Sequence, residues 1–188
     1  MLVKISRYAL ASFLILSSCN NQDTTTYKVG ENSFVVPNIF LEKEQIPWLP
    51  PIGRNSFIVS IPSEDKKISF KASIEDRKDN CTVEKIRSKS MKNDACEGVT
   101  MPLSNETINS MKREGNETYW VYKYKIGSIE KIAASCSLLR SDEGLCVSII
   151  PYKNTIVTIY YSDNNQDNIY NSRKTVTSSL ARWDNAPH

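Results

Sequence analysis

The chain has 188 residues, 24 Lys or Arg against 21 Asp or Glu, and 40% apolar residues. These figures exclude a disordered polyelectrolyte and leave room for one domain with a substantial core. The charges balance and form no concentrated basic patch, which argues against a nucleic-acid groove.

The N-terminus carries Lys4 and Arg7, then an apolar run from Tyr8 to Leu16. That order of charge and apolar core is an export signal. Its core is far shorter than the roughly 20 residues a membrane-spanning helix needs. The run ends in Leu16-Ser17-Ser18-Cys19, which resembles the bacterial lipobox: a leucine, small residues, then a cysteine. The resemblance implies diacylglycerol attachment at Cys19, cleavage before it, and palmitate-type acylation of the new N-terminus. Several acyl chains anchor a protein firmly where a single chain does not. Asn20 rather than aspartate follows the cysteine. In enteric-type sorting this implies the outer membrane, facing the periplasm.

The chain therefore divides into a signal peptide at 1–18, a lipidated cysteine with a flexible tether at 19–26, and a single domain at 27–188. Removing Lys4 and Arg7 with the signal changes the charge balance to 22 against 21. Much of the formal net charge of +3 is thus a targeting effect. The basic clusters Lys66-Lys67 and Arg87 to Lys92 read as solvated loops.

Four cysteines remain in an oxidising compartment, which calls for disulfides. Three pairings are open in principle. The local ones, Cys81–Cys96 and Cys136–Cys146, are preferred. No CxxC occurs and the sole histidine is His188, so no metal is expected.

The predicted elements run as follows. Phe34-Val35-Val36 is a short strand ended by Pro37. Ile46 to Gly53 holds three prolines, which fix φ and remove backbone donors; it reads as an ordered loop with Trp48 as an apolar foot. Asn55–Ile61 and Ile68–Ile74 alternate as strands, the second with Ser69, Lys71 and Ser73 facing solvent. Residues 75–102 are polar and read as a stapled loop or two small strands. Ser104 to Arg113 reads as a helix capped by Ser104. Thr118–Ile126, Lys131–Leu139, Gly144–Ile150 and Thr155–Ser162 then form an antiparallel meander. If residues 140–142 centre the hairpin, Cys136 stands opposite Cys146. A helix of about 12 residues follows from Ile169, with Val176, Leu180 and Trp183 inward and Arg173, Lys174 and Arg182 outward. The fold class is α+β: mainly antiparallel sheet, a short central helix, and a C-terminal helix packed on the sheet.

No catalytic constellation is visible. The only histidine is terminal, which removes the usual base for a serine nucleophile, and no phosphate-binding or metalloprotease motif occurs. The carboxylate pairs Glu64-Asp65, Glu75-Asp76 and Asp142-Glu143 sit at turns and strand ends, where solvated charge is the ordinary explanation. The chain is expected not to be an enzyme and to need no cofactor.

A binding role fits better. The stretch "YKVGENSFVVP" followed by "IPWLP", within Tyr27–Pro51, resembles the opening of periplasmic immunity lipoproteins paired with type VI secretion lipase-like effectors. The resemblance implies a toxin effector as protein partner and transfers no individual residue role. The candidate contacts are Trp48 and either the charged stretch 75–100 or a tyrosine-rich edge at Tyr160 and Tyr161. A structural or assembly lipoprotein of the envelope or of a secretion apparatus is the alternative.

Overall fold

A computed structural model describes residues 23–42, 56–82, 89–138, 144–163 and 166–184. The export signal, Cys19, Trp48 and its proline-rich loop, the hairpin centre at 140–142, Asp142-Glu143 and His188 lie outside the described residues. No described helix is long and apolar enough to cross a membrane.

The chain opens with a hairpin, β1 (Thr24–Val29) and β2 (Asn32–Pro37). Thr24 to Thr26 were expected in the tether but belong to β1, paired with Pro37, Val36 and Val35. Gly30 makes the turn at φ +58°. A Cβ there would lie 1.9 Å from Asp76 Oδ2. The left-handed backbone favours glycine there, and a larger residue would also have to displace the Asp76 side chain.

The remaining strands form one sheet. They are β3 (Ser56–Pro62), β4 (Ser69–Asp76), β5 (Lys112–Gly115), β6 (Tyr119–Ile126), β7 (Ile129–Leu138), β8 (Gly144–Tyr152) and β9 (Thr155–Ser162). Their spatial order is β3-β4-β9-β8-β7-β6-β5, antiparallel throughout. The β6-to-β9 meander is as the sequence suggests. The long-range step is β4 beside β9, which moves β9 from an edge to third place in the sheet.

One sheet face carries the main core. Phe57 and Val59 of β3, Phe70 and Ile74 of β4, and Val157 and Ile159 of β9 are buried there. Phe34 of the first hairpin packs on Phe57 with ring centroids 5.5 Å apart. Fully burying each such side chain stabilises by about 1.5–3 kcal/mol. The C-terminal helix also covers this face. It spans Asp167–Asp184, longer than expected, and touches β2, β4 and β9. Its buried stripe includes Ile169, Ser172, Arg173, Val176, Leu180 and Trp183. Trp183 anchors the end of the helix against Phe40.

Among the described residues, the polar run 75–102 holds two short helices instead of two strands. It forms α1 (Arg77–Thr82) and α2 (Lys89–Cys96), joined by Cys81–Cys96. Two helices this short are marginal alone, so the disulfide and burial of Met91 and Ala95 hold them. Helix α2 lies against β7 and β8. Helix α3 (Asn105–Asn109) is capped by the Ser104 side chain, which accepts from Thr107 N at 3.2 Å. It stops before Lys112, which starts β5. The C-terminal helix, Asp167–Asp184, is hereafter α4.

Candidate functional site

Tyr160 and Tyr161 sit side by side on β9, and their alternation sends them to opposite faces. Tyr161 is 3% exposed. It cannot meet a partner on the folded surface, which corrects its placement on a tyrosine-rich edge. The Tyr161 hydroxyl is 2.9 Å from Ser148 Oγ, which donates to Ala133 O. Burial pushes its phenol far above the ordinary range. Tyr160 is half-buried beside Ile58. Burial, then the charge of Glu75, pushes its phenol up to about 12.

Four core-facing residues line up across neighbouring strands: Trp120, Cys136, Cys146 and Tyr161. Cys136 is directly opposite Cys146, their Cα atoms 4.0 Å apart, and the two are bonded. Asp163 closes this row at its end. Its carboxylate accepts from Trp120 Nε1 at 2.8 Å and from the Tyr122 hydroxyl at 3.1 Å. The Arg113 guanidinium lies 4.5 Å from the Trp120 ring centroid. Cys136, Cys146 and Asp163 cluster as metal ligands would. Both sulfurs are consumed by the disulfide, however, and metal binding needs thiolates.

Arg173 was expected to face solvent and is instead 5% exposed. Its Nη2 donates to Ala133 O at 2.6 Å, while its Nε has no hydrogen-bond partner among the described residues. Burial pulls its pKa down, opposed by Tyr161 and Tyr124. An arginine starts so high that it stays charged even so. Its role is to fasten α4 to the centre of β7.

The other sheet face bears a second polar cluster, below α1 and α2. Glu75 accepts from Ser73 Oγ at 2.8 Å and from Asn80 Nδ2 at 2.6 Å. Ser73, expected on a solvated face, is buried there. Lys92 is 8% exposed and its Nζ has no hydrogen-bond partner among the described residues. This corrects its placement in a solvated loop. Burial lowers its pKa, partly offset by Glu75.

Glu64, Asp65 and Asp76, the other described members of the candidate carboxylate pairs, have ordinary structural partners. Asp65 accepts from the Ser63 hydroxyl, which lowers its pKa first of all, with help from Lys67 N. Glu64 pairs with Lys174 at 3.2 Å in solvent. Asp76 accepts from Asp79 N at 3.1 Å, at the start of α1. Each is accounted for by a turn, a helix start or a surface pair.

A concave site that the sequence reading missed lies at the β5 end of the sheet. It has a volume of about 220 Å³ and is lined by Ser110, Lys112, Lys123, Tyr124, Lys125 and Glu130. Strand β6 continues past its last pairing with β5, Lys112↔Lys123. The hollow forms at that step. Lys123 binds Glu130 at 2.8 Å and also Glu114. Glu114 first and then Glu130 raise its pKa. Reading Lys112 and Arg113 as the basic end of a helix concealed the strand, and with it this juxtaposition.

No protein-family model and no curated protein matches the sequence. Two solved structures share a distant fold resemblance. One is the Neisseria meningitidis iron-regulated outer membrane lipoprotein FrpD, 11% identical, with a TM-score of 0.46 over 88% of this chain and 94% of that one. The other is Smlt3025, an immunity protein of the Stenotrophomonas maltophilia type IV secretion system. It is 12% identical, with a TM-score of 0.46 over 86% of this chain and 93% of that one. Likeness at this level describes an outline of fold and assigns this chain neither partner nor activity.

Proposed function

We propose that this chain is a lipid-anchored binding protein of the bacterial envelope, held at the outer membrane and facing the periplasm. Its role is immunity: it binds and neutralises a secreted antibacterial effector. The observation that carries the anchor is Leu16-Ser17-Ser18-Cys19 at the end of a short export core. Two disulfides support an oxidising compartment, because such bonds persist there and are rare in the cytosol. The immunity role rests on the resemblance carried by "YKVGENSFVVP" and "IPWLP". The first of these segments, Tyr27–Pro37, forms most of the β1–β2 hairpin, whose Val29, Phe34 and Val36 join the core. Trp48, outside the described residues, remains a proposed contact, and Tyr160 is one on the sheet.

Deletion of the gene in the producing strain tests the role. The deletant should die beside toxin-bearing siblings, and expression of the full chain should restore survival. Cys19→Ala should lose lipid labelling without loss of the disulfides. Survival of the deletant, together with recovery of the protein in a stable envelope assembly, would instead establish an assembly role.

A further inference from the structure

The two edges of the seven-stranded sheet are treated differently. At the β3 edge, Leu41 bridges to Val59, and Glu42 N donates to Ile58 O at 3.2 Å. Glu42 is fixed in turn by Lys71 at 3.3 Å. The chain thereby covers that edge itself. At the opposite edge, all four residues of β5 are exposed, and among the described residues no strand pairs on its outer side. An unpaired strand edge offers free backbone groups to an added strand, and a short, lysine-bearing one discourages any strand that lacks complementary charge.

The charges beside β5 select what can be added. Lys112, Lys123 and Lys125 surround the hollow at its end. Glu114 and Glu130 are both spent on Lys123. Lys112 and Lys125 form no ion pair among the described residues, and each acts on Glu130 only through space. An entering cation would meet uncompensated like charge, whereas an entering carboxylate would complete the set. Exposed Ile126 and Ile129 flank the step and suit an apolar neighbour.

We propose that β5 is the docking edge for an extended, acidic segment of a partner protein. The segment adds to the sheet by backbone hydrogen bonds and places a carboxylate between Lys112 and Lys125. Main-chain pairing supplies affinity and alternate side chains supply selectivity, as in strand addition generally. This deepens the binding-protein reading and rests on it.

The test uses the full mature chain in lipid nanodiscs and a short capped peptide alternating valine and glutamate. Hydrogen exchange should slow at Lys112–Gly115 when the peptide is added. The peptide should bind at least tenfold more tightly than its valine–lysine counterpart. The double variant Lys112→Glu/Lys125→Glu should reverse that preference, and Lys66→Glu/Lys67→Glu, at a distant turn, should not. Equal binding of the two peptides, or protection at β3 instead of β5, would overturn the proposal. So would protection of β5 that rises with protein concentration alone, which makes a second copy the occupant. A native effector that binds the Lys112→Glu/Lys125→Glu variant unchanged would refute this edge while leaving the binding role intact. Survival of the gene deletant beside toxin-bearing siblings would instead remove the immunity role.

Discussion

The two disulfides close loops of comparable length, with sequence separations of 15 for Cys81–Cys96 and 10 for Cys136–Cys146. Chain entropy alone assigns each about 3 kcal/mol. Their surroundings differ. Cys136–Cys146 is a fully buried rung within the row from Trp120 to Tyr161. Cys81–Cys96 is a half-buried clasp on two helices of six and eight residues. The first bond reinforces a sheet already specified by its apolar alternation. The second makes structure where the sequence has little apolar material to bury.

That contrast sets an order of effects. Cys136→Ala/Cys146→Ala should be the most damaging change. It removes the cross-link and also leaves space between Trp120 and Tyr161, so the loss should reach about 3–5 kcal/mol. Denaturant unfolding measures it. Equal losses for the two disulfides would mean that packing around the buried bond adds nothing. Cys81→Ala/Cys96→Ala should cost about 3 kcal/mol or less. Its signature is local: exchange should quicken in α1 and α2 while β6 to β9 stay protected. Loss of protection across the whole sheet would break the distinction between rung and clasp.

Tyr161→Phe comes next, at about 1 kcal/mol for the lost hydrogen bond with Ser148. It also sharpens the pH dependence. The folded state holds the Tyr161 proton well above the ordinary tyrosine range, whereas the unfolded chain releases it from about pH 10. The unfolded state then binds fewer protons, so stability is full below about pH 10 and falls as pH rises beyond it. Tyr152 and Tyr160, both pushed up to about 12, add to the same slope. Tyr161→Phe should make the alkaline decline shallower, and an unchanged slope would remove Tyr161 from it. The smallest effect should come from Asp94→Ala. That change unties α2 from Lys131 of β7 and should cost under about 1 kcal/mol, because the freed ammonium can reach water.

The same contrast explains what the sequence made legible. The hairpin register followed from alternation on two adjacent segments and a central turn. The paired cysteines therefore fell opposite one another by counting. Helices α1 and α2 left no comparable signal: Met91 and Ala95 are too few to set a period. Strand β5 was hidden because "KREG" has weak strand propensity, yet edge strands tolerate such charges. The misplacement of Tyr161 came from treating Tyr160 and Tyr161 as one edge: alternation sends them to opposite faces, and the pairing of β4 with β9 makes β9 an interior strand. Arg173 was read outward by residue type. Its spacing from Ile169 and Val176 places it on the inward stripe, where a backbone carbonyl of β7 receives it. Of the candidate site, the disulfides were readable, while the anchor at Cys19 lies outside the described residues. The basic hollow was not readable, because it needs the register of β5 against β6.

The central proposal is a lipid-tethered protein that works by binding. Native mass measurement of the full-length product, released from its own envelope in mild detergent, tests this most directly. The account predicts a chain beginning at an acylated Cys19, bearing both disulfides, in a one-to-one complex with a protein effector. A chain that begins elsewhere without lipid, or that remains alone when the purified effector is supplied, would contradict it.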